Sequence, residues 1–114
     1  MPTYAPSLEI MNRLGRAMAD PNRSRILMSL LDGPGYPGQL AAELDLSRPN
    51  VSNHLTCLRG CGLVVAVPEG RRTRYEMADA HLAQGLTELL NVVLAVDEGS
   101  LCADGSCDIP GCCP

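Results

Sequence analysis

Two helical segments in the middle of the chain are separated by only three residues, and this spacing limits the fold more than any other feature. Apolar residues recur at helical intervals over 37–44, Asp45-Leu46-Ser47 interrupts them, and the helical spacing resumes to about residue 59. Ser47 is a suitable N-cap, and Pro49 falls in the first turn of the second helix, where its missing N–H costs little. Two helices joined by so short a turn are typical of a helix-turn-helix motif.

The segments around this pair complete the predicted architecture. Two amphipathic helices precede the pair, then the apolar period changes from helical to alternating, which predicts a β-hairpin, and a last helix follows. The predicted helices cover 8–18, 21–32, 37–44, 48 to 59 or 61, and 79–96, and the predicted strands cover 63–67 and 72–77 around a turn at 68–71. The order ααααββα predicts a mainly α protein with a β-hairpin, that is, a winged helix-turn-helix.

The last predicted helix has a wider apolar stripe than the core of so small a protein needs. Its apolar residues are Leu82, Leu86, Leu89, Leu90, Val93 and Leu94. We expect part of this stripe to form the interface of a dimer; the alternative is one more core helix. Residues 98–114 contain Gly, Pro, acids and four cysteines without an apolar period. We therefore expect a folded domain at 1–97 and a separate Cys-rich, metal-binding tail at 98–114.

One segment of the chain is basic although the formal net charge of the whole is −4. Residues 47–75 contain five arginines and a single acid, Glu69, so the rest of the chain is strongly acidic. An acidic body with one basic face is compatible with a nucleic-acid partner.

Polar residues at the start of the fourth helix are the candidates for reading DNA, because this part of a helix-turn-helix enters the major groove. They are Ser47, Arg48, Asn50, Ser52, Asn53 and His54. Arginine reads guanine and asparagine reads adenine, while serine and histidine suit phosphates. The hairpin adds Arg71, Arg72 and Arg74 at or beside its tip as phosphate contacts. A polar helix face is commonly just solvated, so the prediction of double-stranded operator DNA as partner rests on the turn spacing and the arginine-rich hairpin together.

The expected location of the protein determines how its cysteines are interpreted. Prolines, an acid and arginines interrupt the first 19 residues, so no signal peptide is expected, and the longest apolar run, near 92–96, is too short to span a bilayer. We therefore expect a cytoplasmic protein without membrane contact. In that compartment the six cysteines favour metal binding or redox sensing over structural disulfides.

Cys57 and Cys61 are four residues apart on the predicted fourth helix. If the helix reaches residue 61, both sulfur atoms lie on one face and can share a metal ion. The alternative is two small hydrophobic residues buried at a helix end. His54, one turn before Cys57, is a further candidate ligand, although a phosphate contact suits it better. Three sulfur ligands suit Cd(II), Pb(II) and As(III), and a fourth ligand would make a tetrahedral Zn(II) or Cd(II) site.

Four segments of the sequence resemble the ArsR/SmtB family of metal-responsive repressors. They are PGQLAAEL at 37–44, LSRPNVSNHL at 46–55, LRGCGLV at 58–64 and GRRTRY at 70–75, and the earlier LGRAMADPNR at 14–23 also fits. The resemblance implies a homodimer formed through the first and last helices. It also implies that the dimer binds a palindromic operator without metal and releases it when metal binds.

Members of this family place their metal sites in different elements. One common site uses cysteines at the start of the third helix, where this chain has Tyr36. Another uses Asp-x-His in the last helix, followed by a histidine and an acid. Asp79 and His81 fit the first half, but Val92 and Ala95 occupy the later positions. Neither site is therefore expected, and Asp79 is better explained as an N-cap.

A third arrangement fits this chain. The CmtR-type branch, which senses cadmium and lead, uses two cysteines of the recognition helix and one of the C-terminal tail. Cys57, Cys61 and Cys102 match that pattern position by position. The resemblance thus implies Cd(II) or Pb(II) as effector, with As(III) and Zn(II) left open. The chain departs from the pattern by three further tail cysteines, which are either additional ligands or thiols without a role: Cys107, Cys112 and Cys113.

Two other functions are compatible with part of the sequence. An As(III)-responsive or thiol-redox-responsive repressor would share the fold, but a disulfide between residues four apart on a helix requires unwinding. An enzyme is not expected, because the chain has no Gly-rich phosphate loop, no catalytic acid pair and no C-x-x-C.

Overall fold

The computed structural model describes residues 6–95, which form five helices and one β-hairpin in the predicted order. The helices are α1 (Ser7–Met18), α2 (Pro21–Asp32), α3 (Pro37–Leu44), α4 (Arg48–Gly60) and α5 (Ala80–Leu89), and the strands are β1 (Val64–Glu69) and β2 (Arg72–Met77). The ααααββα order is confirmed. None of the helices within residues 6–95 has both the length and the apolar character needed to cross a bilayer.

Side-chain caps begin α2, α4 and α5, and the cap of α4 is the Ser47 that the sequence predicts. The Asp20 carboxylate accepts the N–H groups of Asn22 and Arg23 at 2.8 and 3.0 Å and starts α2. The Ser47 hydroxyl accepts the N–H of Asn50 at 3.2 Å and starts α4. Between α3 and α4, Asp45 has a left-handed backbone with φ of 55°, which ends α3 and turns the chain toward α4.

An aliphatic core lies between α2, α3, α4 and β1. Ile26, Leu40, Val51, Leu55 and Leu58 are all at most 1% exposed. The last three recur along α4 at helical spacing and bury one side of that helix, as the sequence predicts. The opposite side of α4 is thereby fixed toward solvent.

The bounds of the hairpin differ from the prediction. Leu63 precedes β1, while Pro68 and Glu69, which were expected in the turn, belong to the strand. The turn is the two residues Gly70 and Arg71, with Gly70 at φ 60°. Glycine at the first turn position favours such a tight hairpin. Because Glu69 and Arg72 pair across the turn, Pro68 and Thr73 form the next pair, which is a non-hydrogen-bonded one. The nitrogen of Pro68 therefore points away from β2, and its missing N–H is tolerated.

The hairpin is joined to the helices at Gly35, in the loop before α3. Gly35 N–H donates to the Tyr75 carbonyl at 2.9 Å, and Tyr75 N–H donates to the Gly35 carbonyl at 2.8 Å. This bridge lies on the side of β2 that faces away from β1, and it connects the wing directly to the helix-turn-helix.

The last helix is shorter than predicted: α5 ends at Leu89, and residues 90–95 continue as a turn and irregular backbone. Leu86 is the one buried residue of α5. Beyond the helix Val93 is 91% exposed and Leu94 is 75% exposed. Short helices depend on packing for their stability, and these residues pack on nothing within the described chain. The predicted end of the last helix is therefore wrong, and the use of its apolar stripe as a dimer interface stays a prediction.

The N-cap of α2 should make the stability of the protein depend on pH. Hydrogen bonding from the Arg23 N–H lowers the pKa of Asp20 below its ordinary value of 3.8. A carboxylate with a lowered folded-state pKa contributes stability above its unfolded-state pKa and loses it as the pH falls through the folded-state value.

Urea unfolding of wild type and Asp20→Asn from about pH 7 to about pH 2 tests this. Asparagine also caps a helix but does not titrate. The stability of the wild type relative to Asp20→Asn should fall on acidification. Parallel pH curves for the two proteins would contradict the role assigned to Asp20.

Candidate nucleic-acid interface and thiolate pair

The N-terminal half of α4 presents the side chains predicted to read DNA. Ser47, Arg48, Ser52 and Asn53 are exposed, and Asn50 and His54 are half-exposed. They lie on the surface because Val51, Leu55 and Leu58 occupy the buried side of the same helix. The short turn through Asp45 sets α3 against α4, and the Leu46 N–H closes the end of α3 on the Ala41 carbonyl at 2.9 Å. The structure thus places this predicted set at the N-terminal end of α4, outside its buried side.

His54 has a different environment from the other members of the set. Its charge acts on Asp20, at the N-cap of α2, and contributes, after the hydrogen bonds of the backbone, to the lowered pKa of that carboxyl group. His54 therefore lies close enough to the N-cap of α2 for a charge on its ring to act on Asp20.

The three arginines of the wing have three different environments. Arg71 lies exposed in the turn and makes no ion pair within residues 6–95. The Arg72 guanidinium lies over a tyrosine ring, that of Tyr36, with 3.6 Å from Cζ to the ring centroid. Arg74 is half-buried and pairs with Glu69 at 3.4 Å and Glu76 at 3.6 Å. The structure thus gives Arg71, Arg72 and Arg74 unequal freedom to bind a phosphate.

Tyr36 is a functional candidate that sequence analysis missed. Its hydroxyl donates to Glu69 Oε1 at 2.6 Å, and this hydrogen bond raises the pKa of the phenol. Tyr36 was noted only as a residue that stands where a metal-ligating cysteine could have been. No local pattern links it to Glu69, 33 residues away in the hairpin.

Cys57 and Cys61 lie at the C-terminal end of α4. The helix ends at Gly60, but Cys61 keeps a helical backbone with φ of −79° and ψ of −10°, and its N–H donates to the Cys57 carbonyl at 3.0 Å. The four-residue relation expected for a shared site is therefore preserved. Cys57 is exposed, and Cys61 is half-buried against the edge of the core, so neither is a fully buried hydrophobic residue.

The remaining candidate ligands lie elsewhere. No cluster of three or more histidine, cysteine or acidic side chains suited to a metal ion occurs within residues 6–95. The predicted tail at 98–114, with Cys102, Cys107, Cys112 and Cys113, is outside the described residues. Asp79 caps α5 by accepting the N–H groups of His81 and Leu82 at 2.7 and 3.2 Å, as predicted for an N-cap.

An arginine of α1 connects that helix to the thiolate end of α4. Arg13 Nη1 donates to the Cys61 carbonyl at 3.2 Å, and Arg13 Nη2 pairs with Glu9 one turn earlier. The two residues joined by the first contact are 48 positions apart, and no sequence pattern indicated it. Cys61 is thereby held by backbone bonds within α4 and by a side chain from α1.

An open apolar groove of about 710 Å³ separates α1 from α5, and Cys61 lies in its wall. Its apolar lining comes from Ile10, Leu14, Leu82, Leu86 and Leu89. Large apolar side chains of α1 and of the chain after α5 are also exposed within the described residues. They are Leu8, Met11, Leu90, Val93 and Leu94, which are between 56% and 91% exposed.

Known proteins are similar to this chain in sequence and in fold. Residues 20–65, from the cap of α2 to the start of β1, match the family described as bacterial regulatory protein, arsR family. The HTH-type transcriptional regulator CmtR of Mycobacterium tuberculosis is 69% identical over 90 residues, which are 79% of this chain and 76% of that protein. The NMR structure of the cadmium metal-sensor CmtR from the same organism has a TM-score of 0.62 at 71% identity, covering 75% of this chain and 90% of that chain. A homodimeric winged helix-turn-helix DNA-binding domain from Mycobacterium bovis has a TM-score of 0.66 at 27% identity, covering 80% and 90%.

Proposed function

Because the chain belongs to the ArsR family of bacterial regulatory proteins, and is a transcriptional regulator rather than an enzyme, we propose that it is a metal-responsive repressor. It binds operator DNA as a homodimer and leaves the operator when its cysteine thiolates bind a soft metal ion, Cd(II) or Pb(II). One observation supports this most directly. The helix that exposes the polar side chains at its start carries Cys57 and Cys61 at its end.

The start of α4 reads the operator in this proposal. Arg48 and Asn53 are exposed, and their side chains are the types that make bidentate contacts to guanine and adenine. Ser47 and Ser52 are suited to phosphates, and Arg71 extends from the wing toward the backbone of the duplex. The local excess of arginine supplies the attraction to DNA that the net charge of −4 does not.

The homodimer forms through α1 and the chain at and after α5. Leu8, Met11, Val93 and Leu94 are each at least 71% exposed. A group of large exposed apolar side chains is typical of an interaction surface. Association removes that surface from solvent at about 25 cal/mol per Å². A two-fold dimer presents one α4 to each half of a palindromic operator, about 34–36 Å apart. The homodimeric relative from M. bovis supports this assembly.

The donor set fits a soft cation. Cys57 and Cys61 offer two sulfur ligands from one helix end, and the exposed thiol of Cys57 is accessible from solvent. Cys102 of the tail is the third ligand in this proposal, and sulfur-only coordination suits Cd(II) and Pb(II). Cys107, Cys112 and Cys113 are further candidates. A bound ion would supply a cross-link between the end of α4 and the tail. The relative whose solved structure is that of a cadmium sensor supports Cd(II) as effector.

Arg13 connects the thiolate pair to the rest of the molecule. Its hydrogen bond to the Cys61 carbonyl joins the end of α4 to α1, the helix whose apolar side chains form part of the proposed interface. Any displacement of Cys61 therefore acts on a helix of the interface as well as on the recognition helix. A change in the angle between the two copies of α4 would then separate them from the two half-sites.

Thermodynamic linkage tests the function. The affinity of the protein for a duplex, selected by the protein itself from a random-sequence pool, is measured with and without Cd(II), and the affinity for Cd(II) is measured with and without that duplex. We expect Cd(II) to weaken DNA binding about 5–150-fold and the duplex to weaken Cd(II) binding by the same factor. Equal Cd(II) affinity of free and DNA-bound protein would contradict the proposal.

The same titration identifies the effector. Pb(II), As(III) and Zn(II) are compared with Cd(II), and peroxide is added to metal-free protein as the test of a thiol-redox switch. Release of the duplex by As(III) alone or by peroxide alone would replace the proposed effector while keeping the DNA-binding role.

Asn53→Ala should weaken binding to the selected duplex and relax the preference at one base-pair position. The loss expected for one bidentate base contact is about 1–3 kcal/mol. Thr56→Ala is the matched control, because Thr56 is exposed one turn further along α4 and outside the candidate set. Competition between the selected duplex and its single-base variants measures both effects. Equal losses for the two variants would place the base-reading face elsewhere.

A further inference from the structure

Tyr36 contacts both residues that flank the turn of the wing. Its hydroxyl donates to Glu69 at 2.6 Å, and its ring lies under the guanidinium of Arg72 at 3.6 Å. Glu69 and Arg72 are opposite each other in the hairpin, immediately before and after Gly70 and Arg71. One side chain from the helix-turn-helix therefore holds the tip of the wing from both strands.

These contacts add a second attachment point to the Gly35–Tyr75 bridge. The bridge holds β2 at Tyr75, three residues from Arg72, which is about 10 Å along a strand. The base of the hairpin is also held, because Val64 at the start of β1 is buried in the core. Tyr36 adds a contact at the tip, and a hairpin held at both its base and its tip keeps a fixed angle. Tyr36 is also the residue before the first turn of α3, so the angle is set relative to the helix-turn-helix.

Two of the three arginines of the wing, Arg72 and Arg74, are held by contacts within the protein. Glu69 accepts the tyrosine hydroxyl and pairs with Arg74, which also pairs with Glu76. Arg72 spreads over the ring of Tyr36, an arrangement that stabilises a cation without neutralising it. Arg71, in the turn, has no such partner within the described residues and is free to meet a phosphate.

We propose that Tyr36 is a positioning residue for operator binding. It fixes the angle of the wing through Glu69 and Arg72, so that Arg71 meets the DNA backbone while α4 occupies the major groove. The inference rests on the proposed DNA-binding function and adds to it a residue that does not itself touch DNA. Without the hydroxyl the wing loses one charge-assisted hydrogen bond and must be ordered when DNA binds, which lowers affinity.

Tyr36→Phe is the test, because it removes the hydroxyl and keeps the ring under Arg72. We expect its affinity for the duplex selected by the wild type to fall about 3–10-fold, the size of effect expected for the loss of one exposed hydrogen bond. The dependence of affinity on salt should not change, because no phosphate contact is lost. Arg71→Ala is the control, and its salt slope should fall by about 1.

A double-mutant cycle separates positioning from direct contact. In a Glu69→Ala background the hydroxyl has no acceptor on the wing, so adding Tyr36→Phe should change affinity less than 2-fold. Helical circular dichroism equal to that of the wild type serves as the control that each variant is folded. An affinity of Tyr36→Phe equal to that of the wild type, a reduced salt slope, or a full effect in the Glu69→Ala background would each overturn the inference. Failure of the wild type to select any duplex would instead overturn the proposed function.

Discussion

Cys57→Ser is expected to abolish the response of operator binding to Cd(II). The response is the ratio of operator affinities without and with Cd(II) for one variant, so that any change in metal-free binding cancels. For the wild type this ratio should lie between about 5 and about 150, and for Cys57→Ser it should fall to about 1. The reason is that serine matches the shape of cysteine but offers no thiolate to a soft ion.

The position of Cys57 makes this substitution informative. Its side chain is exposed and lies outside the buried stripe of α4, so serine changes little besides the ligand. Thr56→Ser, at the neighbouring exposed position, is the matched control and should retain the full response. Ultraviolet absorption from thiolate to Cd(II) should lose the contribution of one sulfur in Cys57→Ser, in Cys61→Ser and in Cys102→Ser. A Cys57→Ser protein that releases the operator as the wild type does would move the effector site to other cysteines.

Leu58→Ala should lower the free energy of unfolding more than any other substitution proposed for this protein. Leu58 is fully buried, follows Cys57 directly and packs α4 onto the core. Truncation of a buried leucine costs about 2–5 kcal/mol, from lost burial and the cavity left behind. A small domain is stable by only about 5–15 kcal/mol, so a large part of its stability disappears.

Urea unfolding at equilibrium measures this loss, with Met28→Ala as the control. Met28 is a large apolar residue of α2 that is 50% exposed, so its truncation should cost much less. A similar cost for the two variants would show that the core does not depend on α4. Both measurements should be made at one protein concentration, because dimer formation adds to the apparent stability.

Capping and helical periodicity were predictable because they depend on residues within one or two turns. Ser47 and Asp79 each stand directly before a helical pattern, and both cap the following helix as expected. Leu58 and the two other buried residues of α4 follow one stripe, so the orientation of the recognition helix was also predictable. The exposed set at the start of α4 follows from that orientation.

The bounds of the wing and the end of α5 depend on strand register and on tertiary packing, which the local sequence pattern does not contain. Pro68 resembles a turn residue, but the register set by Gly70 makes it a strand residue. The apolar pattern after Leu89 continues without a surface to pack on, so it predicts a helix that the described chain does not form.

Contacts between distant residues were the part of the candidate site that sequence analysis could not reach. Tyr36 meets Glu69 over 33 positions and Arg13 meets Cys61 over 48, and each pair forms only once the elements have packed. The cysteine pair on α4 was predictable because a spacing of four is local. Its completion by Cys102 remains a prediction.

Pro68 also limits unwanted self-association. A two-stranded hairpin has two edges, and each is a template onto which another chain can add a strand and begin to aggregate. In the described part of the chain the far edge of β2 is partly occupied by Gly35, whereas no strand covers the far edge of β1. Pro68 offers no N–H on that open edge, so a strand approaching there lacks one of the donors it needs. The wing can therefore extend into solvent near its arginine-bearing tip with less risk of joining the wing of another molecule.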